Sequence, residues 1–388
     1  MSDRSATSAS ATCASATSAS ASDGGQPGGV RPKVLLCATP TVREEYWAGE
    51  GIARLERIAD WDWLSSEGVC TRPGVWGGPS EDPAELARLR AKVADIDILV
   101  VCHGSPYVDA AIMDAAPRLK LIGELEGDRF ANRIDVAAAV ERGIRATDTT
   151  NGSSLPVSEW ALALMMIGLR NAGEQFRRLI GGEEFRRSRD DYGYRHGELT
   201  GRTVGIIGLG HIGRRLIELL APFNCTVLVH DPYAPKELAL AMGAQLTTLD
   251  RVLAAPDVVV CAAPLTPATT GMLGARELGL LKHEAVFVNV SRGPIVDTAA
   301  LIARAKRGDV RVSLDVFDPE PIPADSEIRT LPNVFLSPHI AGVTAACRPR
   351  FFSFMVDEIE RFLGGHETMF DLTPRVLANR RGTPPPTN

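Results

Sequence analysis

The sequence predicts an α/β fold of two doubly wound, mainly parallel sheets, and three observations carry that prediction. From Lys33 onward, short β-branched runs alternate with polar or amphipathic helical stretches, the pattern of βαβ units. A G-x-G-x-x-G turn joins one of those strands directly to a helix. At 388 residues the chain also exceeds the roughly 250 to 300 at which a single core stops growing. The first strand series is Val34 to Cys37, Ile98 to Cys102 and Leu119 to Gly123, with Pro83 to Val93 among the intervening helical segments. A long helical pattern follows Asn151-Gly152-Ser153-Ser154 and runs to about Arg170, with Ser153 or Ser154 as N-cap. The second series is Thr203 to Ile207, Thr226 to His230, Val258 to Ala262, Val286 to Val290, Val312 to Asp315 and Val334 to Leu336. A last helix, Arg350 to Leu363, is free to return to the first domain. The expected division is residues 33–150 with 343–376 as one domain and 151–342 as the other. Residues 1–32, rich in Ser, Ala, Thr and Gly, and 377–388, closing on Pro-Pro-Pro, are expected to be disordered tails.

A composition of 45% hydrophobic and 23% charged residues is that of a globular chain. The net charge of −6, with no run of Lys and Arg interleaved with aromatics, argues against a nucleic-acid partner. Seven scattered cysteines, an odd number without a C-x-x-C pair, suit reduced thiols and neither a zinc knuckle nor a disulfide framework, so no metal is expected. No wholly apolar stretch reaches the roughly 18 residues of a membrane span, Ala161 to Leu169 coming nearest. The N-terminus lacks a signal peptide's apolar core, and Asp3 and Asp23 beside only Arg4 and Arg31 fit poorly with a transit peptide. The expectation is a cytoplasmic protein with no membrane partner.

The strand Val204 to Ile207 leads into Gly208-Leu209-Gly210-His211-Ile212-Gly213, and a helix begins there. Gly208 permits the tight turn, Gly210 lets the backbone approach a pyrophosphate, and Gly213 lets helix pack on strand. Phosphates then sit on free N–H groups at a helix N-terminus. Strand Thr226 to His230 ends in Asp231, 18 residues beyond Gly213, where an acid hydrogen-bonds the ribose hydroxyls and repels a 2′-phosphate. The expected cofactor is NAD rather than NADP.

Three later segments offer the groups that hydride transfer to a 2-oxo acid needs, each at the end of a strand. Asn289-Val290-Ser291-Arg292-Gly293 presents Arg292, whose planar fork suits a carboxylate with an adjacent carbonyl. Asp315-Val316-Phe317-Asp318-Pro319-Glu320-Pro321 holds Glu320 in a proline-bounded loop, and Ser337-Pro338-His339-Ile340-Ala341-Gly342 ends on His339. Taken singly these are a surface charge, a loop carboxylate and a structural histidine. At successive strand ends of a dinucleotide domain they make a candidate site for acid–base chemistry.

With these motifs, and with Ala263-Pro264-Leu265-Thr266-Pro267 and Thr269-Thr270-Gly271 between them, the sequence resembles the D-isomer-specific 2-hydroxyacid dehydrogenases from Lys33 to about Val376. The resemblance implies a Rossmann NAD-binding domain inserted into a discontinuous flavodoxin-like substrate domain. It implies that His339 is the general acid/base, that Glu320 hydrogen-bonds it, and that Arg292 binds the substrate carboxylate and polarises the carbonyl. It assigns the nicotinamide amide to Asp315 and further cofactor contacts to His211, Ile212, Asp231, Thr266, Val290, Ser291 and Gly342. It also implies a homodimer, with the segment from Ser154 to Arg195 contributing the arm.

The sequence departs from the family where a Gly-rich loop normally cradles the substrate carboxylate. Gly123-Glu124-Leu125-Glu126-Gly127-Asp128-Arg129-Phe130-Ala131-Asn132-Arg133-Ile134-Asp135 is longer and highly charged. Arg129 or Arg133 facing the cleft would accept a second anionic group on the substrate, while a solvated loop is the plain alternative. His103-Gly104-Ser105-Pro106, after the strand ending at Cys102, could line the opposite wall, with Gly104 and Ser105 as candidates and a structural turn as the alternative. Three rival readings keep the scaffold. Formate oxidation is disfavoured because formate enzymes resemble this pattern with an amide at Glu320. Phosphite oxidation suits Arg292 and His339. An NAD-sensing protein, like the C-terminal-binding corepressors, would keep the same residues without turnover.

Overall fold

The computed structural model describes residues 31–47, 49–68, 78–127, 130–183, 188–342, 344–381 and 383. All but Arg31 belong to one compact unit, Pro32–Asn388. Arg129 and nearly all of the N-terminal tail lie outside the described residues.

Five parallel strands form the first sheet: β1 (Lys33–Ala38), β2 (Asp60–Ser65), β3 (Ile98–Val101), β4 (Leu121–Glu124) and β5 (Arg145–Asp148). Their order, β2-β1-β3-β4-β5, is the flavodoxin-like one. Successive side chains point to opposite faces. Val34, Leu36 and Ala38 therefore pack on one side with Phe351, Phe352 and Met355 of the helix Arg348–Leu363. Leu35 and Cys37 pack on the other side with Leu89, Leu372 and Leu377.

The expectation of a disordered tail from residue 377 is corrected here. Pro374–Arg381 is helical, and Leu377, 7% exposed, lies in the first sheet's core. At the other end Pro32, also assigned to a tail, accepts the Asp60 N–H at the sheet's edge.

Seven parallel strands form the second sheet: β6 (Thr203–Ile207), β7 (Thr226–His230), β8 (Ala244–Leu246), β9 (Val258–Cys261), β10 (Val286–Asn289), β11 (Arg311–Leu314) and β12 (Val334–Leu336). The order β12-β11-β10-β9-β6-β7-β8 reverses between β6 and β9. That is the Rossmann arrangement with one added strand, and its ligand crevice lies outside the carboxyl ends at the reversal. Val204, Ile206, Val258, Val260, Val286 and Val288 face the helix Ser154–Leu169. Ile207, Val259, Phe287 and Val312 face the other layer.

The long helix departs from the sequence reading in one respect. By length and composition the 20 residues Thr150–Leu169 would suffice to cross a membrane. They are half buried, and Ala161, Leu164 and Met165 are fully enclosed in the second sheet's core.

Candidate active site

The phosphate loop leaves β6 at Gly208, which adopts φ +99° and donates its N–H to the His230 carbonyl at 2.8 Å. A Cβ on Gly213 would lie 2.2 Å from the Gly208 carbonyl oxygen, so only glycine allows the helix His211–Leu220 to start so close to the strand. Gly210 is that helix's N-cap, with no heavy atom within 4 Å of where its Cβ would stand. The mouth of the helix is therefore open on the side where its N–H groups favour a phosphate. Ile212 is half-buried, and the His211 ring meets that of Phe370 edge-on at 6.0 Å. Asp231 follows β7, its Oδ2 accepting the Leu209 N–H (2.8 Å) and its Oδ1 those of Tyr233 (2.9 Å) and Ala234 (3.1 Å). Each oxygen has two lone pairs, so Oδ2 keeps one for a ribose hydroxyl. Open helix mouth, close-packed glycines and flanking carboxylate together fit a dinucleotide.

The three candidate catalytic side chains stand at the ends of neighbouring strands, since Asn289 pairs with Leu314 and Leu314 with Leu336. His339 and Glu320 meet directly, Nδ1 to Oε1 at 2.5 Å. An ionised carboxylate only accepts, so Nδ1 carries the proton in this contact and Nε2 is the nitrogen left to face a substrate. Glu320 lies between two cis peptides, Asp318–Pro319 and Glu320–Pro321. Arg292 is half-buried one strand away, Nη1 donating to the Ser291 carbonyl at 2.8 Å. The loops carrying Arg292 and Glu320 touch at Gly293, where a Cβ would fall 1.7 Å from the Phe317 oxygen. Any larger residue there would separate them.

His339 has φ +52°, in the left-handed region that non-glycine residues seldom occupy. The cause is Asp315. Fully buried, it accepts the Ile340 N–H on Oδ1 (3.1 Å) and the Ala341 N–H on Oδ2 (2.9 Å), gripping the two residues after His339. Its Oδ1 also accepts from Ser337 Oγ (2.5 Å) and Trp160 Nε1 (3.2 Å), and Trp160 reaches Ser337 Oγ as well at 3.0 Å. The carboxylate that the resemblance assigns to the nicotinamide thus clamps the backbone behind the imidazole.

Of the remaining cofactor candidates, Thr266 closes a turn with Thr269 (Oγ1 to Oγ1, 3.0 Å) and Val290 is buried. Ser291 hydroxyl donates to the Ala263 carbonyl, and its N–H donates to Asn289 Oδ1 at 3.0 Å. Gly342 is half-buried beside Cys347.

The substrate wall differs from expectation at three residues. Gly104 is buried in a turn at φ +86°, its carbonyl accepting from Ser66 Oγ at 2.6 Å. Ser105 is fully buried, with its N–H on the Cys102 carbonyl. Arg133, expected at the cleft, is 1% exposed and donates to Glu124 Oε1 (2.8 Å), the Glu126 carbonyl (2.9 Å) and His103 Nδ1 (3.1 Å). Its fork is occupied inside the protein and is no receptor for a second anion. Among the described residues, polar side chains that do reach the surface here include His103, 33% exposed, and Glu126, 18% exposed.

Sequence reasoning missed Trp160 and Tyr46, and it named His103 only within a turn that could line the cleft and Glu126 only as a loop partner for Arg129. A lone tryptophan in an apolar helix reads as core, and its one polar atom gives no sign of a partner 155 positions away. For His103 a signal was present, because it lies just past a buried strand's end, as His339 does.

Comparison with known proteins places this geometry. The model of the D-isomer specific 2-hydroxyacid dehydrogenase NAD-binding domain matches residues 162–341. A glyoxylate reductase of Pyrococcus furiosus is 33% identical over 323 residues, covering 81% of this chain and 87% of that protein. The chain belongs to the D-isomer specific 2-hydroxyacid dehydrogenase family. This family member is also 31% identical over 312 residues to the mitochondrial formate dehydrogenase of Solanum tuberosum, covering 79% of each. To the D-3-phosphoglycerate dehydrogenase of Methanocaldococcus jannaschii it is 34% identical over 279 residues, 71% of this chain and 52% of that one. It spans about half the length of the phosphoglycerate dehydrogenases it matches. Among solved structures, an NAD-dependent formate dehydrogenase from Staphylococcus aureus in complex with NAD superposes with a TM-score of 0.57 at 26% identity, over 88% of this chain and 98% of that one. A phosphoglycerate oxidoreductase from Rhizobium etli shares the fold at TM-score 0.73 and 21% identity, over 88% and 98%.

Proposed function

We propose that this family member is an NAD-dependent oxidoreductase that interconverts a D-2-hydroxy acid and its 2-oxo acid. The observation that carries the reading is the contact of His339 Nδ1 with Glu320 Oε1 at 2.5 Å. Bound NADH supplies the hydride. Arg292 holds the substrate carboxylate and polarises the adjacent carbonyl. His339 delivers a proton from Nε2 to the carbonyl oxygen and, in the oxidative direction, takes it back, while its Nδ1–H stays on Glu320. Trp160, Ser337 and Asp315 keep the imidazole in place. Residues 33–150 with 343–376 act as the substrate domain, and 151–342 hold the cofactor.

The test is loss of NADH absorbance with glyoxylate, pyruvate, hydroxypyruvate, phenylpyruvate, oxaloacetate, 2-oxoglutarate and phosphonopyruvate, with NADPH in parallel. Turnover of at least one acid with NADH preferred is the expected result. Tight NADH binding without turnover of any would favour the NAD-sensing reading. The acid at Glu320 continues to argue against formate.

The protein works as a cytoplasmic homodimer, with neither nucleic acid nor membrane as partner. Phe176, Leu179 and Ile180, at i, i+3 and i+4 of the helix Ala172–Ile180, are 63%, 66% and 71% exposed and form one apolar face suited to a second copy. Light scattering should give twice the chain mass, and Leu179→Glu should halve it. A wild-type monomer would overturn the dimer.

A further inference from the structure

Four side chains near the carboxyl ends of β1, β3 and β4 form a connected polar cluster that the reaction described above does not use. Arg133 Nη2 lies 3.1 Å from His103 Nδ1. A guanidinium only donates, so Nδ1 accepts and the imidazole carries its proton on Nε2. That Nε2–H points to Glu126 Oε2 at 3.1 Å, and the same oxygen takes the Tyr46 hydroxyl at 2.5 Å. Burial holds the Tyr46 hydroxyl above its ordinary range, so it remains a donor. Burial also pushes the Glu126 carboxyl up, but the His103 and Tyr46 hydrogen bonds and the charge of Arg133 outweigh it and hold the group below its usual range. Glu126 is thus an anion whose Oε2 is saturated, while its Oε1 accepts no hydrogen bond among the described residues.

Taking the oxidoreductase reading as its basis, we propose that Glu126, oriented by His103 and Tyr46, is a subsite for the non-reacting end of the substrate that accepts a hydrogen-bond donor, hydroxyl or ammonium-like, and rejects an anion. The cluster stands on the sheet edge where doubly wound folds take their ligands. Its cation, Arg133, is set behind at 1% exposure and paired with Glu124, so among these four side chains the charge nearest solvent is the negative one of Glu126. A distal carboxylate or phosphonate would meet a like charge, whereas a hydroxyl or guanidinium would complete Oε1. A metal does not suit the same atoms. Cys102 Sγ lies within 4.8 Å of the His103 and Glu126 ligand atoms, but burial pushes its thiol up to about 12, and both imidazole nitrogens are already engaged.

The experiment compares kcat/KM for 2-oxo acids that differ at the far end. 4-Hydroxy-2-oxobutanoate carries a hydroxyl, 5-guanidino-2-oxopentanoate a cation, oxaloacetate and 2-oxoglutarate a carboxylate, and 2-oxopentanoate a methyl group. Wild type and Glu126→Gln are measured side by side, with NADH affinity as the check on folding. Wild type should favour donor-ended over carboxylate-ended acids by about 10- to 100-fold, the value of a hydrogen bond to a charged group. Glu126→Gln should shrink that ratio at least tenfold, chiefly through KM, with the larger loss for the cation. The hydroxyl and guanidinium arms tell which donor the site takes. Preference for carboxylate-ended acids, or a ratio unmoved by the substitution, overturns the subsite alone. No turnover of any acid with NADH still bound overturns the oxidoreductase reading and the subsite with it. Should the variant not fold, the wild-type ratio decides.

Discussion

His339→Ala should lower kcat/KM by about 10²- to 10⁴-fold, the range that a positioned general acid–base group contributes, with NADH affinity left nearly unchanged. The side chain stands just past a strand at the sheet's carboxyl edge and touches Glu320, whereas the helix mouth and Asp231, proposed to hold the dinucleotide, lie on other strands. Binding and proton transfer are therefore separable. Trp160→Phe is the informative companion. It removes the single N–H that Asp315 and Ser337 share while preserving an aromatic ring in the helix, so the backbone clamp behind His339 loosens without loss of the imidazole. The expected outcome is a lower kcat at similar KM, read from steady-state kinetics. Wild-type turnover in His339→Ala would end the mechanism, because no other group has been given the proton.

The second large effect lies in stability. Arg133→Met should destabilise the fold by about 3–5 kcal/mol, the usual cost of breaking a buried ion pair by removing one partner. Glu124 is fully buried, and burial raises its carboxyl from an ordinary value of 4.5 to about 7 even with Arg133 at 2.8 Å. Without the guanidinium it should rise further. A carboxyl raised in the folded state contributes stability that is present below its unfolded value and is lost as the pH climbs through the folded one. Denaturant unfolding of Arg133→Met should therefore show stability falling between about pH 5 and 8 more steeply than in wild type, and Glu124→Gln in that background should flatten the slope. Equal stability of Arg133→Met and wild type at pH 7 would contradict the reading of this pair.

What the sequence disclosed depended on how local the determining contacts are. The phosphate loop was legible because turn, helix mouth and strand end fall within Val204 to Gly213, and the tightest of its contacts, Gly213 against the Gly208 carbonyl, joins residues five positions apart. Arg292, Glu320 and His339 were legible because parallel topology brings successive strand ends to one edge, whatever the intervening loops do. Strand β2 was harder. Asp60-Trp61-Asp62-Trp63 alternates charge with bulk and lies at the sheet's margin, where its two aspartates stay exposed. The C-terminal helix was missed because its core contribution comes mainly from Leu377 and Ala378 amid arginines. The reversal at Arg133 has another cause. Whether an arginine looks outward or inward depends on Glu124 and His103, and no local pattern states that β4 delivers a buried carboxylate to meet it.

The bonds of Asp231 bear on any attempt to re-engineer the coenzyme preference. A routine exchange to serine, meant to admit a 2′-phosphate, would discard not only a repelling charge but the acceptor for three backbone N–H groups, at Leu209, Tyr233 and Ala234. The turn proposed to cradle the pyrophosphate would slacken together with the change in selectivity. A redesign would have to supply a new anchor for that turn before any gain toward NADP could appear.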